Sequence, residues 1–539
     1  MGTFLKNPVV LVKKLPVWFF HLSGKYRKPI KSLTDIPNEE IEQLKSLGID
    51  YLWLIGLWQR SFASEKIKRL QGEKDKIGSA YSIVSYDVDN RVGDKKALDV
   101  FLDRLHSKGM GLVVDIIPNH MSVDSKWLIE NPDFFMQAKN KPYDNYCFSG
   151  VDLCDNEKIE VRIEDKYYTK EDAAVVFSVK NSKGQEWFIY HGNNGEGIPW
   201  NDTAQLDYTN QVLRKKMLLL IRDMSKKYDG IRFDAAMLLL RNQYRRLWFP
   251  EPGKTASVPS RDSYSLEESK FLKLMPEEFW DEAGRVLKKK GLYIFEVFWG
   301  LEKEFLKRFS YGYVYNAAFA HHLALEENAE LKNYIKDILS EELRLFFRFL
   351  YYLSSPDQDS PLSRYKPMEK YKGACCFMSA LPGAFLFTHG QIEGYQEYYP
   401  VDVASPSKYE EELLFLWHHE VIAPILHEKK NMGFPELILF FPFFVGDSED
   451  DDVFVFFVKT KTKKYLIAYN NSSQEKKGYF SNSFASRCGE RIIKENIVRL
   501  ITSNFAYELI RKERLVFKKA ENCLFLELGP YQPVFFIFD

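Results

Sequence analysis

Asp234 ends the stretch YDGIRFDA and Glu296 sits inside YIFEVFWG, two carboxyl groups in settings that would drive their protonation apart. A strand period of two puts Ile231 and Phe233 on one face and Arg232 and Asp234 on the other, so a guanidinium shares a face with a carboxylate. That neighbour keeps Asp234 ionised and fit to act as a nucleophile, whereas Ile294, Phe295, Val297, Phe298 and Trp299 around Glu296 favour the protonated acid. Two such carboxyls about 5 to 5.5 Å apart form the constellation for retaining glycoside cleavage. The same residues also suit an Arg232–Asp234 ion pair in a barrel core with Glu296 merely salt-bridged, and spacing alone favours neither.

Short apolar runs alternating with helical patterns must position these groups. Strand candidates begin at Leu15, Tyr51, Gly111, Tyr228, Leu292, Tyr311, Phe349 and Ala384. Eight such units imply an α/β fold, a closed (β/α)8 TIM barrel, with the polar strand ends meeting in one bowl. Between strands, SLTDIPNEEIEQLKSLG predicts a helix capped by Thr34 or Asp35 and stopped at Gly48, and GDKKALDVFLDRLHSKG repeats the pattern before Gly109. The barrel is expected over 1–120 and 204–434. The Asn-, Gly- and aromatic-rich stretch 121–203 reads as a subdomain inserted after the third strand, and 435–539 as a C-terminal antiparallel β-sandwich domain.

Composition narrows the partners. The 75 basic and 75 acidic side chains balance, which gives no electrostatic footprint for nucleic acid or an anionic membrane. NPVVLVKKLPVWFF, broken by two lysines and two prolines, is neither a signal peptide nor a spanning helix, so a cytoplasmic location is expected. Six cysteines, with Cys375 and Cys376 adjacent, read as reduced core residues.

The motifs DIIPNH (Asp115 to His120), GIRFDAA (Gly230 to Ala236) and FEVFWG around Glu296 resemble, in order and separation, those of the α-amylase superfamily, glycoside hydrolase family 13. QLDY at Gln205 is similar to the motif closing that family's inserted subdomain, and ALPGAFLFTHGQIEG to its eighth-strand segment; the resemblance covers nearly the whole chain. It implies Asp234 as nucleophile and Glu296 as general acid/base, with Arg232 and His120 contacting the cleaved sugar, Tyr81 stacking on it, and Asn119 and Asp115 shaping the end of strand three. The fourth motif departs: where the family has Asn-His-Asp, this chain reads YYLSSPDQDSPLSR without a histidine. Aligning the strand end selects Asp357 as the third carboxylate, and aligning the following proline selects Asp359; Asp357 is preferred, with Asp359 as a substrate contact. Met237 and Leu238 also replace residues that are Lys and His in many glucan-cleaving relatives, which removes hydrogen-bond partners from the leaving-group side.

The resemblance implies an α-glucoside as partner and no required cofactor, and leaves a structural calcium near Asn119 open. His321-His322 and His418-His419 are set aside as metal sites because adjacent helical positions do not face one point. GNNGEG at Gly192 reads as a tight loop of the insert rather than a dinucleotide loop, and the acidic run GDSEDDD as a solvated hairpin loop. Trp58, Trp127, Trp200, Trp299 and Tyr365 are candidate sugar platforms. The leading expectation is a retaining α-glycoside hydrolase or transglycosylase. The rival is a catalytically impaired carbohydrate-binding protein on the same fold. Natural substrate, linkage and oligomeric state are not legible.

Overall fold

The computed structural model describes residues 6–538, apart from residue 74 and segments 407–411, 482–486, 489–490, 493–504, 517–518 and 521–522. Eight parallel strands close a barrel in sequential order: β1 (Val9–Lys14), β2 (Tyr51–Ile55), β3 (Gly111–Ile116), β4 (Gly230–Phe233), β5 (Leu292–Phe295), β6 (Tyr313–Tyr315), β7 (Phe349–Tyr352) and β8 (Ala384–Phe387). The strand period sorts their side chains. Val10, Val12, Trp53, Ile55, Val113, Ile294 and Leu350 fill the interior, while Val9, Leu11, Ile231, Phe233 and Phe295 pack outward beneath the helices.

Seven of the eight expected strands fall where the apolar runs place them, and the first does not. LPVWFFHL lies within helix Leu15–Tyr26, which has proline in its first turn, and β1 is the preceding VVLVKK. Two lysines make that run look interrupted, but both are buried: Lys13 pairs with Glu393, and Lys14 bonds to loop carbonyls. The next helix also starts late. Ser32 caps a short turn at Leu33–Asp35, and the α-helix runs Asn38–Ser46, because Pro37 suits the position just before a helix and not its interior. Helix Lys95–Ser107 is capped by Asp94 as the pattern implies.

After β3 the chain leaves the barrel. His120–Ser122 pairs antiparallel with Thr203–Gln205, and between them Gln137–Ala138, Ile159–Ile163, Val176–Asn181 and Glu186–Tyr190 form a four-stranded sheet. From Leu437 onward a nine-stranded antiparallel sheet follows. One face carries its own core of Leu439, Phe441, Val455, Phe457 and Leu466, and the other docks on helix Met368–Ala380, where Phe377 stacks on Tyr469 at 5.1 Å and packs beside Phe454 and Phe456. The acidic run makes the exposed hairpin turn at Gly446 and Asp447, as expected, and then continues into strand Ser448–Lys459, where Asp450 and Asp452 each meet Lys476 at 2.7 Å. Asn328, on a barrel helix, donates to Asp452 at 2.8 Å. Cys375 and Cys376 are buried, free thiols on the docking helix.

Truncating the docking ring, Phe377→Ala, is expected to cost about 3 to 5 kcal/mol in chemical denaturation while leaving ligand affinity unchanged.

Candidate active site

The carboxyl ends of β3, β4 and β5 are held in register by the barrel ladder. Arg232 stands opposite Asp115 on one side and Ile294 on the other. Just past the strands, Asp234 donates its N–H to the Ile116 carbonyl at 2.9 Å, and Glu296 donates to Phe233 at 3.1 Å. Ala235 follows in the left-handed region at φ 42°, a conformation costly for a residue with a Cβ. The turn is fixed from the β5 side: the Ala235 N–H donates to Glu296 Oε2 at 2.8 Å, and the Ala236 N–H to the Glu296 carbonyl at 2.9 Å.

Arg232, 1% exposed, lies at the centre. Its Nη1 meets Asp234 at 2.6 Å and Asp115 at 3.5 Å, and its Nη2 meets Glu296 at 2.8 Å. Trp53 and Tyr81 rings flank the guanidinium at 5.1 and 5.2 Å. Burial opposes its charge, but Glu296 and Asp234 outweigh that and hold it firmly protonated. Asp115 also accepts from Trp53 Nε1 at 2.9 Å; burial nevertheless pushes its carboxyl up to about 7. Burial likewise pushes Glu296 up to about 8, against Arg232 and with the charges of Asp234 and Asp357 adding to the rise.

One cavity of about 410 Å³ collects most of the residues singled out in the sequence: Tyr81, His120, Asp234, Glu296 and Asp357 line it together with Trp200 and Trp299. Asp357 is exposed to this space while protein crowds it on its other sides; that crowding raises its carboxyl, opposed by Arg232 and Lys14. Asp359 is exposed and outside the lining, so of the two acids after β7 only Asp357 faces the cavity. His120 is buried and driven towards the neutral imidazole, its Nε2–H placed to donate to the Tyr81 carbonyl at 3.2 Å and its Nδ1 to accept from Asn119 at 3.4 Å. Among the described residues the Tyr81 hydroxyl has no hydrogen-bond partner, although the ring packs on Arg232.

Other residues arrive by folding rather than by motif. Asn194 and Trp200 come from the insert, whose GNNGEG segment is a turn with Gly195 and Gly197 at positive φ, and Phe298 follows Glu296. Met237 lines the cavity, whereas Leu238 is core. Trp58 is buried, donating to the Asp115 carbonyl at 2.7 Å, Trp127 packs against Phe134, and Tyr365 is core; none of the three reaches the cavity. An aromatic run alone does not tell a platform from a core ring.

The donors near Asn119 suit calcium poorly. Its Oδ1 accepts from Gln205 Nε2 at 3.0 Å and its Nδ2 donates to Gln205 Oε1 at 3.1 Å, so an amide N–H stands where a cation would need an oxygen. His321 and His322 do converge, contrary to the helical-spacing argument: helix Ala317–Leu325 runs on past both, and after its end the chain turns back at Glu326 so that Glu327 accepts from His322 at 2.7 Å and lies 3.8 Å from His321.

The chain belongs to the α-amylase family: the model described as alpha amylase, catalytic domain, matches residues 37–345. It is similar to an oligo-1,6-glucosidase of Heyndrickxia coagulans (24% identical over 140 residues, 26% of this chain and 21% of that protein). It is also similar to an α-glucosidase of Apis mellifera (23% over 266 residues, 49% and 40%). The matched regions thus span less than half the length of these curated relatives. Among solved structures, a noncanonic maltogenic α-amylase from Thermotoga neapolitana superposes with TM-score 0.63 at 15% identity, covering 99% of this chain and 98% of the other. The trehalose-6-phosphate hydrolase of Bacillus licheniformis gives 0.65 at 14%, covering 99% of both chains. At such identity these structures speak for the fold.

Carboxyl-selective NMR titration is expected to place the Glu296 midpoint near 8. Asp234→Asn removes a like charge and should bring that midpoint down; a midpoint that stays in place would detach Glu296 from Asp234.

Proposed function

We infer that the protein is a retaining α-glycoside hydrolase or transglycosylase acting on α-glucosidic oligosaccharides or glucans. The observation that carries this reading is the pair of carboxyl groups sharing Arg232 at one cavity wall, one paired with the guanidinium at 2.6 Å and the other with its proton retained near neutral pH.

In this reading the Asp234 carboxylate attacks the anomeric carbon as the glycosidic C–O bond breaks, and Glu296 gives its proton to the departing oxygen. The covalent glycosyl-Asp234 intermediate is then opened by water or a sugar hydroxyl, which returns a proton to Glu296. Asp357 adds negative charge beside the oxocarbenium-like transition state. Tyr81 offers a flat face and an unpaired hydroxyl to the sugar, and neutral His120 a polar edge. The domain organisation fits this division of labour: a barrel of 1–120 and 204–434 carries the carboxylates, the insert of 121–203 roofs the cavity with Asn194 and Trp200, and 435–539 buttresses the barrel.

The test is product analysis by NMR after incubation with maltooligosaccharides, glycogen, trehalose, sucrose and para-nitrophenyl α-glucoside. Products of retained α configuration from wild type, lost in Asp234→Asn, are expected; saturable binding without turnover on any substrate would favour the binding-protein reading. Asp357→Asn should lower kcat at least about a hundredfold while Asp359→Asn stays within about threefold, and the reverse order would move the third carboxylate to Asp359. The rate should fall on the basic side near pH 8 as Glu296 loses its proton, a limb absent from Glu296→Gln.

A further inference from the structure

The loop that carries Asp357 is held mostly by itself. Ser354 Oγ donates to the Asp359 carbonyl at 2.6 Å, and Arg364 Nη1 to the Leu353 carbonyl at 3.1 Å and Gln358 Oε1 at 2.6 Å. Among the described residues no side-chain hydrogen bond holds the Asp357 carboxylate itself; the cations acting on it are Arg232 and Lys14.

Lys14 comes from β1, which is separated from β7 by β8 alone. On β1 the period of two sends Val9 and Leu11 outward and Val10 and Val12 inward, so Lys14, the last residue of the strand, shares the inward parity and points to the mouth of the barrel. It is 5% exposed. Its Nζ donates to the Pro356 carbonyl, adjacent to Asp357, at 2.7 Å and to the Tyr399 carbonyl, and lies 4.8 Å from the Tyr398 ring centroid. One ammonium thereby ties β1 to the loops after β7 and β8. The latter loop is fastened again by Lys68 and Lys76 on Asp402. The ion-paired neighbour Lys13 points the other way, to Glu393.

We propose that Lys14 is a positioning residue for Asp357: it fixes the loop through the Pro356 carbonyl and supplies the second positive charge that keeps the Asp357 carboxylate aimed into the cavity. This rests on the glycosidase reading above. The role needs an ammonium at this place, since an apolar side chain would withdraw the Lys14 hydrogen bond from the Pro356 carbonyl and leave Arg232 as the cation acting on Asp357. The groups facing Lys14 are Asp357, Asp402, Tyr398 and, across its backbone N–H, His389; those acting on Asp357 are Arg232, Lys14, Asp234, Glu296, Asp115, Tyr81, Tyr315 and Tyr398. Burial lowers Lys14 itself to about 8, with Asp357 and Asp402 opposing, so it is charged through the acidic range that matters here. Removing that charge raises the carboxylate pKa of Asp357, and the acidic limb of the rate profile must move to higher pH.

The experiment is a pH profile of kcat and KM on para-nitrophenyl α-glucoside, from about pH 4 to about pH 9, for full-length wild type, Lys14→Met, Lys14→Arg and Lys13→Met. Lys14→Met is expected to lose roughly tenfold to a hundredfold in kcat, with KM within about threefold and the acidic limb displaced upward by about one pH unit. Lys14→Arg should keep the limb in place, and Lys13→Met should lower the melting temperature without moving it. An unmoved limb in folded Lys14→Met, or a loss in Lys14→Arg equal to that in Lys14→Met, would overturn the proposal. If Lys14→Met does not fold by circular dichroism, Lys14→Arg decides by the same criterion. A wild type without turnover would instead bring down the glycosidase reading, and the positioning role with it.

Discussion

Everything at the mouth of this barrel is arranged around one buried guanidinium. Arg232 touches Asp115, Asp234 and Glu296 from adjacent strands, and an ion so far from water is tolerable only because its partners and the flanking rings of Trp53, Tyr81 and Tyr315 compensate. The arrangement also places more carboxyls than one cation can neutralise. Burial raises two of them, Asp115 to about 7 and Glu296 to about 8, so a proton is retained among the carboxyls around this one cation near neutral pH.

Such a cluster cannot hold itself together, so its geometry is imposed by the scaffold. Parallel register brings Arg232 level with Asp115 and Ile294, and the turn at Ala235 is clamped by the side chain and carbonyl of Glu296. The stability to sustain this comes from apolar layers inside and outside the barrel, and from the docking of the terminal sheet on Phe377. On the side where a leaving group would sit, Met237, Phe298 and Trp299 offer surface rather than charge, so recognition there rests on shape and stacking more than on fixed hydrogen bonds.

The parts legible in the sequence are those where local pattern and tertiary role coincide. Asp234 and Glu296 each follow an apolar strand whose period fixes the facing of its residues, and the strands themselves appear as aromatic and β-branched runs. Lys13 and Lys14 were opaque for the opposite reason: charge in an apolar run reads as an interruption, and only the closed barrel supplies the buried partners that make it a strand end. Asp357 and Asp359 are two residues apart on an irregular loop, where no period decides direction. Asn194 reaches the cavity from the insert, a long-range event with no local trace, whereas Trp200 and Trp299 were legible as candidate platforms and do line it. His321 and His322 meet at Glu327 because the chain turns back just after their helix, which spacing within a helix does not capture.

The most direct test of the central claim is to trap the intermediate. The Glu296→Gln variant, treated with 5-fluoro-α-glucosyl fluoride and digested, should yield a glycosylated peptide whose label maps to Asp234 by tandem mass spectrometry. Label on another carboxylate, or slow turnover with inverted product and no adduct, would contradict the account in which Arg232 holds Asp234 in place for attack.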